Sequence, residues 1–297
     1  MLAPGAVIGF VGTGVMGGSM AGHLLDAGYG LRVYNRTREK AELLVARGAV
    51  WCASAGGTAV GADAVITMLG FPSDVESVYL GVDGLLACAS PGTFLIDMTT
   101  STPSLAVLIA AQAAELGLAA LDAPVSGGDV GARDARLTIM VGGEQEASDA
   151  VEPMLRVMGP NVILQGRAGA GQHTKMANQI AIADTILGVC ESIAYAEAAG
   201  LDPARVLQSI GKGSAASWQL ENYAPRMLAG DFAPGFYVKH FIKDMRIARD
   251  EAGALGISVP GLVLALELFE ELARRGMEDR GIHALYLLYK EHAVPAR

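Results

Sequence analysis

Ile8-Gly9-Phe10-Val11-Gly12-Thr13-Gly14-Val15-Met16-Gly17 sets a β-rich apolar run directly before three glycines in a G-x-G-x-x-G pattern. Helical apolar spacing takes over from Met16 to Ala27. A lone hexapeptide of this kind carries little weight in a glycine-rich chain. A strand before it, a helix after it and a second strand over Leu31 to Tyr34 give it a dinucleotide-binding context. Gly12 permits the turn, Gly14 lets the backbone approach a pyrophosphate, and Gly17 allows close helix packing. With Thr13, Val15 and Met16 they form a loop whose free N–H groups and helix dipole favour an anion.

The second strand ends Tyr34-Asn35-Arg36-Thr37, without the Asp or Glu that usually meets a bare ribose 2′-OH. Arg36 can face a 2′-phosphate and stack on adenine, and Asn35 and Thr37 can add hydrogen bonds. The stretch therefore favours NADP(H) over NAD(H), against the alternative of a merely solvated arginine after a strand.

Outward from this unit the alternation continues. Candidate strands are Ala6 to Val11, Leu31 to Tyr34, Ala64 to Met68, Phe94 to Asp97, Ala119 to Leu121, Leu137 to Val141 and Val162 to Leu164. Helical spacing lies between them over Glu39 to Arg47, Leu105 to Leu116 and Glu146 to Met158. Strands alternating with helices imply parallel β-α-β units. After about residue 168 no strand pattern follows. A long helical pattern runs from Gly171 to Ala199, Asp202-Pro203 offers an N-cap with proline at the first helical position, and further helices are expected over Lys243 to Leu255, Leu262 to Arg274 and His283 to Glu291. The fold class is α/β: a Rossmann-type doubly wound parallel sheet over 1–167, followed by an all-helical domain over 168–297.

Composition bounds the function. Glycine is 38 of 297 residues, well above the usual ~7%, and without a three-residue period collagen is excluded. A net charge of -9 argues against nucleic acid as a partner, so any bound anion must be met by a local site. The uncharged run from Leu2 to Leu25 invites a signal-peptide or membrane reading, but it lacks a basic n-region and is interrupted by glycines. Cys52, Cys88 and Cys190 stand far apart and read as reduced packing thiols, which with the absent signal features places the expectation in the cytoplasm. His23, His173, His240, His283 and His292 form no H-x-x-x-H pair, so no metal is expected, and His173 is given no chemical role.

Three further motifs join the first. These are Asp122-Ala123-Pro124-Val125-Ser126-Gly127-Gly128, Gly169-Ala170-Gly171-Gln172-His173-Thr174-Lys175-Met176-Ala177-Asn178-Gln179, and Phe241-Ile242-Lys243-Asp244-Met245. In this order and spacing the chain resembles the β-hydroxyacid dehydrogenase family, which includes 3-hydroxyisobutyrate dehydrogenase and tartronate semialdehyde reductase. The resemblance covers nearly the whole length. It implies an NADP(H)-dependent oxidoreductase that interconverts a short 3-hydroxy carboxylate and its semialdehyde or keto acid.

By that resemblance Lys175 is the general acid/base, its amine expected to be tuned toward working pH in a partly desolvated cleft. Asn178, three residues on and on the same helical face, binds the substrate hydroxyl or carboxylate. Ser126, Gly127 and Gly128 suit a nest for the carboxylate. Lys243 contacts the cofactor or helps hold the carboxylate, and Asp244 is either a substrate contact or a structural ion-pair partner. Met68, Leu69 and Thr100 are assigned to the nicotinamide half. Gln179 stands where the family often has a second Asn, and Ala135-Arg136 where many relatives carry Gly-Thr. Arg136 either salt-bridges on the surface or modifies acidic-substrate preference.

A homodimer or homotetramer is expected, with Leu262 to Phe269 and Leu285 to Tyr289 as candidate spare apolar faces. Two other readings stay open. A non-catalytic NADP(H) sensor or scaffold would keep the glycines but could lose Lys175 and Asn178, and an imine-reducing relative usually lacks the lysine.

Overall fold

The structure is a computed structural model in which residues 1–291 are described. The chain divides into two compact units, Met1–Lys175 and Met176–Arg297. The change of element type and the division of packing fall at different residues, because the last strand ends at Gly166 while the helix that follows begins in the first unit.

The first unit runs β1 (Val7–Val11), α1 (Val15–Asp26), β2 (Gly30–Tyr34), a 3-10 turn (Arg38–Ala41), α2 (Glu42–Ala46), β3 (Val50–Trp51), α3 (Ala55–Ala59), β4 (Ala64–Thr67), α4 (Pro72–Leu80) and α5 (Leu85–Cys88). It continues through β5 (Phe94–Asp97), α6 (Pro103–Glu115), β6 (Ala119–Asp122), β7 (Val125–Ser126), α7 (Gly128–Arg133), β8 (Thr138–Gly142), α8 (Gln145–Leu155) and β9 (Asn161–Gly166). Then α9 (Ala170–Ala198) leads into α10 (Pro203–Ile210), α11 (Trp218–Asn222), α12 (Ala224–Leu228), α13 (Val238–Ala254), α14 (Pro260–Arg274), a second 3-10 turn (Ile282–Leu285) and α15 (Tyr286–Glu291).

The strands form one sheet in the order β3-β2-β1-β4-β5-β6-β8-β7, with β9 paired to β8. From β3 to β6 every pairing is parallel. Strand order reverses direction between β1 and β4, so the crevice beyond their carboxyl ends is where an open α/β sheet takes its ligand. β8, expected as another parallel strand, runs antiparallel to β6 and β7. Residues 127–137 are too few for a parallel crossover, and the chain must double back. The two-residue strands β3 and β7 escaped the sequence reading because no periodicity can be seen over so short a run.

Alternation along the strands fills both faces of the sheet. Ile8, Phe10, Ile66 and Ile96 are buried in one layer, and Val11, Val65 and Leu95 in the other. Two-sided burial explains why these strands read as continuous apolar runs. In the second unit Ile186, Cys190, Phe241, Phe269, Leu285 and Tyr286 share one core, with the Phe241 and Phe269 rings edge-on at 5.1 Å. Asp202 caps α10 by accepting from the Ala204 N–H at 3.0 Å. Helix α9 is long and apolar enough to cross a membrane by length and composition alone, but its Met176, Ala183, Ile186, Leu187 and Ile193 belong to that core. The C-terminal stripes offered as spare faces are mostly core too. Leu262, Leu266, Phe269, Leu285 and Leu288 are buried, leaving Val263 and Leu264 exposed.

Candidate active site

The loop between β1 and α1 is shaped by backbone collisions that only glycine avoids. Gly12 has φ +97°, and a Cβ there would collide with the Met68 carbonyl oxygen beyond β4. A Cβ on Gly17 would strike the Gly12 carbonyl. Gly14 differs: φ is -72° and a Cβ would meet nothing within 4 Å. It is the N-cap of α1 and supplies no side-chain cap, so the open end of the helix presents backbone N–H groups. Val15 is exposed beside it and Met16 half-buried. The Thr13 hydroxyl is buried with no partner among the described residues. An open cradle, uncapped N–H groups and an orphaned hydroxyl fit the pyrophosphate of a dinucleotide.

The tip of β2 is more constrained than its composition suggests. Asn35 Oδ1 accepts from the Thr13 N–H at 3.0 Å and its Nδ2 donates to the Thr37 carbonyl at 2.7 Å. Both ends of that amide brace the loop rather than reach outward. Arg36 is the outward group: its side chain is 89% exposed, with only a 3.7 Å ion pair to Asp74. Such a pair is weak in solvent and readily exchanged.

At the ends of β4 to β6 lies a buried polar cluster that the sequence reading missed. Asp97 accepts from Thr67 Oγ1 at 2.7 Å and from the Thr99 N–H at 3.1 Å. Because Thr67 spends its proton on Asp97, the buried Tyr79 hydroxyl donates to Thr67 at 3.1 Å. Thr99 Oγ1 accepts from the Leu69 N–H at 2.9 Å, which fixes the Met68-Leu69 segment that carries the Gly12 contact. Thr100 follows, half-buried. Burial pushes the Asp97 carboxyl up to about 6, against the pull of its threonine hydrogen bonds, and Asp122 on the neighbouring strand adds a like charge.

Asp122 does a different job. Its Oδ1 accepts from the Gly169 N–H at 2.7 Å and its Oδ2 from the Gln172 N–H at 2.8 Å, so a strand-tip carboxylate caps the first turn of α9. Burial raises its carboxyl above the ordinary value and those N–H groups draw it back. Space around the carboxylate is so tight that a Cβ on Gly142 or Gly171 would overlap it. Gln172, fully buried, donates from Nε2 to the Thr99 carbonyl at 2.7 Å and accepts at Oε1 from the Ser101 N–H at 3.0 Å.

Lys175 is only 6% exposed, and its Nζ donates to the Val125 carbonyl at 2.7 Å. The structure thus brings Lys175 against the segment that carries Ser126, Gly127 and Gly128. Gly127 and Gly128 have φ +128° and +63°, and a Cβ at Gly128 would meet nothing within 4 Å. Arg136 pairs with Asp134 at 2.7 Å on the surface, the first of the two sequence alternatives.

In the second unit Asn178 Nδ2 donates to Gln179 Oε1 at 2.7 Å, and Gln179 Nε2 donates to Asp244 Oδ2 at 2.6 Å. Lys243 Nζ lies 2.9 Å from Asp244 Oδ1. Asp244 is buried, its Oδ2 accepting from Gln179 and its Oδ1 beside the Lys243 amine, the ion-pair arrangement that the sequence left open beside a substrate contact. Gln179 links the two segments, a function that spacing alone did not reveal.

The model of the NAD binding domain of 6-phosphogluconate dehydrogenase matches residues 7–166, and that of the NAD-binding region of NADP-dependent 3-hydroxyisobutyrate dehydrogenase matches residues 169–289. The chain is 55% identical over 282 residues to the uncharacterized oxidoreductase YkwC of Bacillus subtilis (strain 168), covering 95% of this chain and 98% of that protein. It is 45% identical over 281 residues to the probable 3-hydroxyisobutyrate dehydrogenase-like 1, mitochondrial, of Arabidopsis thaliana, covering 94% and 84%. The solved structure of 3-hydroxyisobutyrate dehydrogenase from Mycobacterium tuberculosis with L-serine superposes with a TM-score of 0.87 at 31% identity, covering 96% of this chain and 99% of that one.

Proposed function

This chain belongs to the β-hydroxyacid dehydrogenase family of NAD-binding oxidoreductases, and from that premise we propose that it interconverts a short 3-hydroxy carboxylate and its semialdehyde or keto acid, with Lys175 as general acid/base. The observation that carries the proposal is the buried Lys175 amine held 2.7 Å from the Val125 carbonyl, next to the Ser126 to Gly128 loop.

In this reading the loop receives the substrate carboxylate on the Ser126 hydroxyl and the backbone N–H groups of Gly127 and Gly128. Asn178, one turn after Lys175, bonds the substrate hydroxyl. The nicotinamide cofactor, when bound, supplies the two-electron exchange at the carbinol carbon. Lys175 Nζ gives a proton to the carbonyl oxygen as the alcohol forms, and takes it back in oxidation. Lys243 serves the cofactor end, with Asp244 holding it. The Gly12 to Gly17 loop holds the pyrophosphate. Met68, Leu69 and Thr100 border the nicotinamide.

NADP(H) is the proposed cofactor. Exposed Arg36 can leave its weak pair with Asp74 for a 2′-phosphate, and no carboxylate stands at Asn35 to meet a bare ribose. The relative crystallised with L-serine supports the substrate class, since serine is itself a 3-hydroxy carboxylate. A homodimer or homotetramer is part of the same reading, supported by exposed Leu255, Ile257 and Leu264, and sedimentation at micromolar concentration tests it.

The deciding experiment screens NADPH oxidation with glyoxylate and with succinic, methylmalonic and tartronate semialdehydes, and the reverse reaction with L-serine and 3-hydroxyisobutyrate. Lys175→Ala should lower kcat about 10²–10⁴-fold with NADPH affinity unchanged. Full activity in that variant would remove the lysine from the chemistry.

A further inference from the structure

The first turn of α9 is held from three directions. The Asp122 carboxylate takes the Gly169 and Gln172 N–H groups, the Lys175 amine reaches the Val125 carbonyl, and the Gln172 side chain bridges the Thr99 carbonyl and the Ser101 N–H. These partners come from the segment after β5 and from the β6–β7 stretch. Those are the two places read above as bordering the nicotinamide and holding the substrate carboxylate. Gln172 and Lys175 are three residues apart and share a helix face.

We propose that Gln172 is a positioning residue for Lys175: its side-chain amide ties the first turn of α9 to the Thr99–Ser101 segment and thereby sets the Lys175 amine against the substrate oxygen whose proton it exchanges. The inference rests on the general acid/base reading of Lys175. An apolar side chain could fill the same volume, since Gln172 is wholly buried. It could not specify register, because only the amide offers one donor and one acceptor at the spacing that Thr99 and Ser101 present. Loss of the tie would let Lys175 move by about 1 Å, enough to cost on the order of 10²-fold in rate without touching cofactor or substrate.

Two substitutions separate positioning from bulk stability. Gln172→Leu keeps volume and removes both hydrogen bonds. It is expected to lower kcat about 10²-fold at unchanged KM for NADPH, once rates are normalised to folded protein. Gln172→Glu still accepts from Ser101, but its carboxylate faces the Thr99 carbonyl, acceptor to acceptor. Protonation restores the donor, so its kcat relative to wild type should rise as pH falls from 8 to 6, in the presence of Asp122 on the residue 172 backbone N–H and Asp97 beyond Thr99. A structural role alone would give no such selective acid-side recovery.

The second readout needs no turnover. Amine-reactive labelling of the protein without substrate, resolved by mass spectrometry, should modify Lys175 at least about 5-fold faster in Gln172→Leu than in wild type. Wild-type kcat in both variants, or an unchanged Lys175 labelling rate, would overturn the proposal. Should Gln172→Leu fail to fold, the Gln172→Glu profile decides, and a profile parallel to wild type refutes the inference. Should wild type turn over none of the substrates, the acid/base reading fails by itself while the labelling still tests the tie.

Discussion

The Gly12 to Gly17 loop and the cluster of Asp97, Asp122 and Gln172 lie at the carboxyl ends of the same sheet, yet they are built on opposite principles. The loop works by the absence of side chains: Gly12 and Gly17 let backbone pass backbone, and Gly14 leaves open space. The cluster works by side chains buried with their hydrogen bonds made, drawn from β4, β5, β6 and α9. The first therefore tolerates no added atom at Gly12 or Gly17. The second tolerates no lost partner, because an unsatisfied buried donor or acceptor costs its full desolvation.

The harshest test of this contrast is Gly12→Ala. The new methyl requires an alanine at φ +97° and meets the Met68 carbonyl, which Thr99 and Leu69 hold in place. A loss of about 3–5 kcal/mol in unfolding free energy is expected, since strain and overpacking add. Urea titration with the cofactor absent measures it, and a loss below about 1 kcal/mol would show that the strand ends are softer than the geometry implies.

Asp97 tests the other side. Its folded pKa of about 6 lies above the ordinary 3.8, so between those values the folded chain holds more protons than the unfolded one. Its contribution to stability is fully present below about 3.8 and is lost as pH rises through about 6; above that, the buried charge costs on the order of 3 kcal/mol. Asp97→Asn, which still accepts from Thr67 and Thr99, should be more stable than wild type at pH 7.5 by about 1–3 kcal/mol, with the advantage vanishing near pH 4. Equal stability at pH 7.5 would mean that the hydrogen bonds fully offset the burial.

Gly14→Ala isolates the ligand from the fold. With no neighbour within 4 Å and φ at -72°, the methyl should leave the melting temperature of the free protein within about 2 °C. NADPH should nonetheless bind about 10–100-fold more weakly, because the methyl occupies the approach to the uncapped N–H groups of α1. Unchanged affinity by calorimetry would move the pyrophosphate away from Gly14.

The same contrast explains what could be read from the sequence. The glycine loop is contiguous, a strand, a turn and a helix in one run of sequence, so pattern was enough to place it even though Met68 and Asn35 brace it from elsewhere. The strands β1, β2, β4, β5 and β6 and the long α9 also followed from periodicity that extends over several residues, whereas their order in the sheet did not. Asp97 looked like the polar end of an apolar strand, and Gln172 like one more residue of a motif. The distant partners are Thr67 for the first, and Thr99 and Ser101 for the second, joined by topology rather than by local spacing. Asn35, read as a further hydrogen bonder beside Arg36, has both ends of its amide on Thr13 and Thr37, contacts that no local pattern announces.

Ala135 is where the glycine rule is broken, and it sharpens the contrast with the smallest expected effect. It is the non-glycine residue with positive φ, +51°, among the described residues, at the position where the resembling family often has glycine. The turn is enforced on both sides: Asp134 N–H donates to the Val130 carbonyl at 2.9 Å, and Arg136 N–H donates to the Gly131 carbonyl at 2.8 Å. A left-handed alanine costs about 1–2 kcal/mol, whereas glycine adds about 0.4–1 kcal/mol of unfolded-chain entropy. Ala135→Gly should therefore stabilise the protein by only about 0.5 kcal/mol, since the strain relieved slightly exceeds the entropy gained by the unfolded chain. A measurable destabilisation in urea would show that the Asp134–Arg136 ion pair depends on the stiffer residue between its partners. In that case the turn after α7, like the Asp97–Asp122–Gln172 cluster, is held by what its side chains restrict rather than by what its glycines permit.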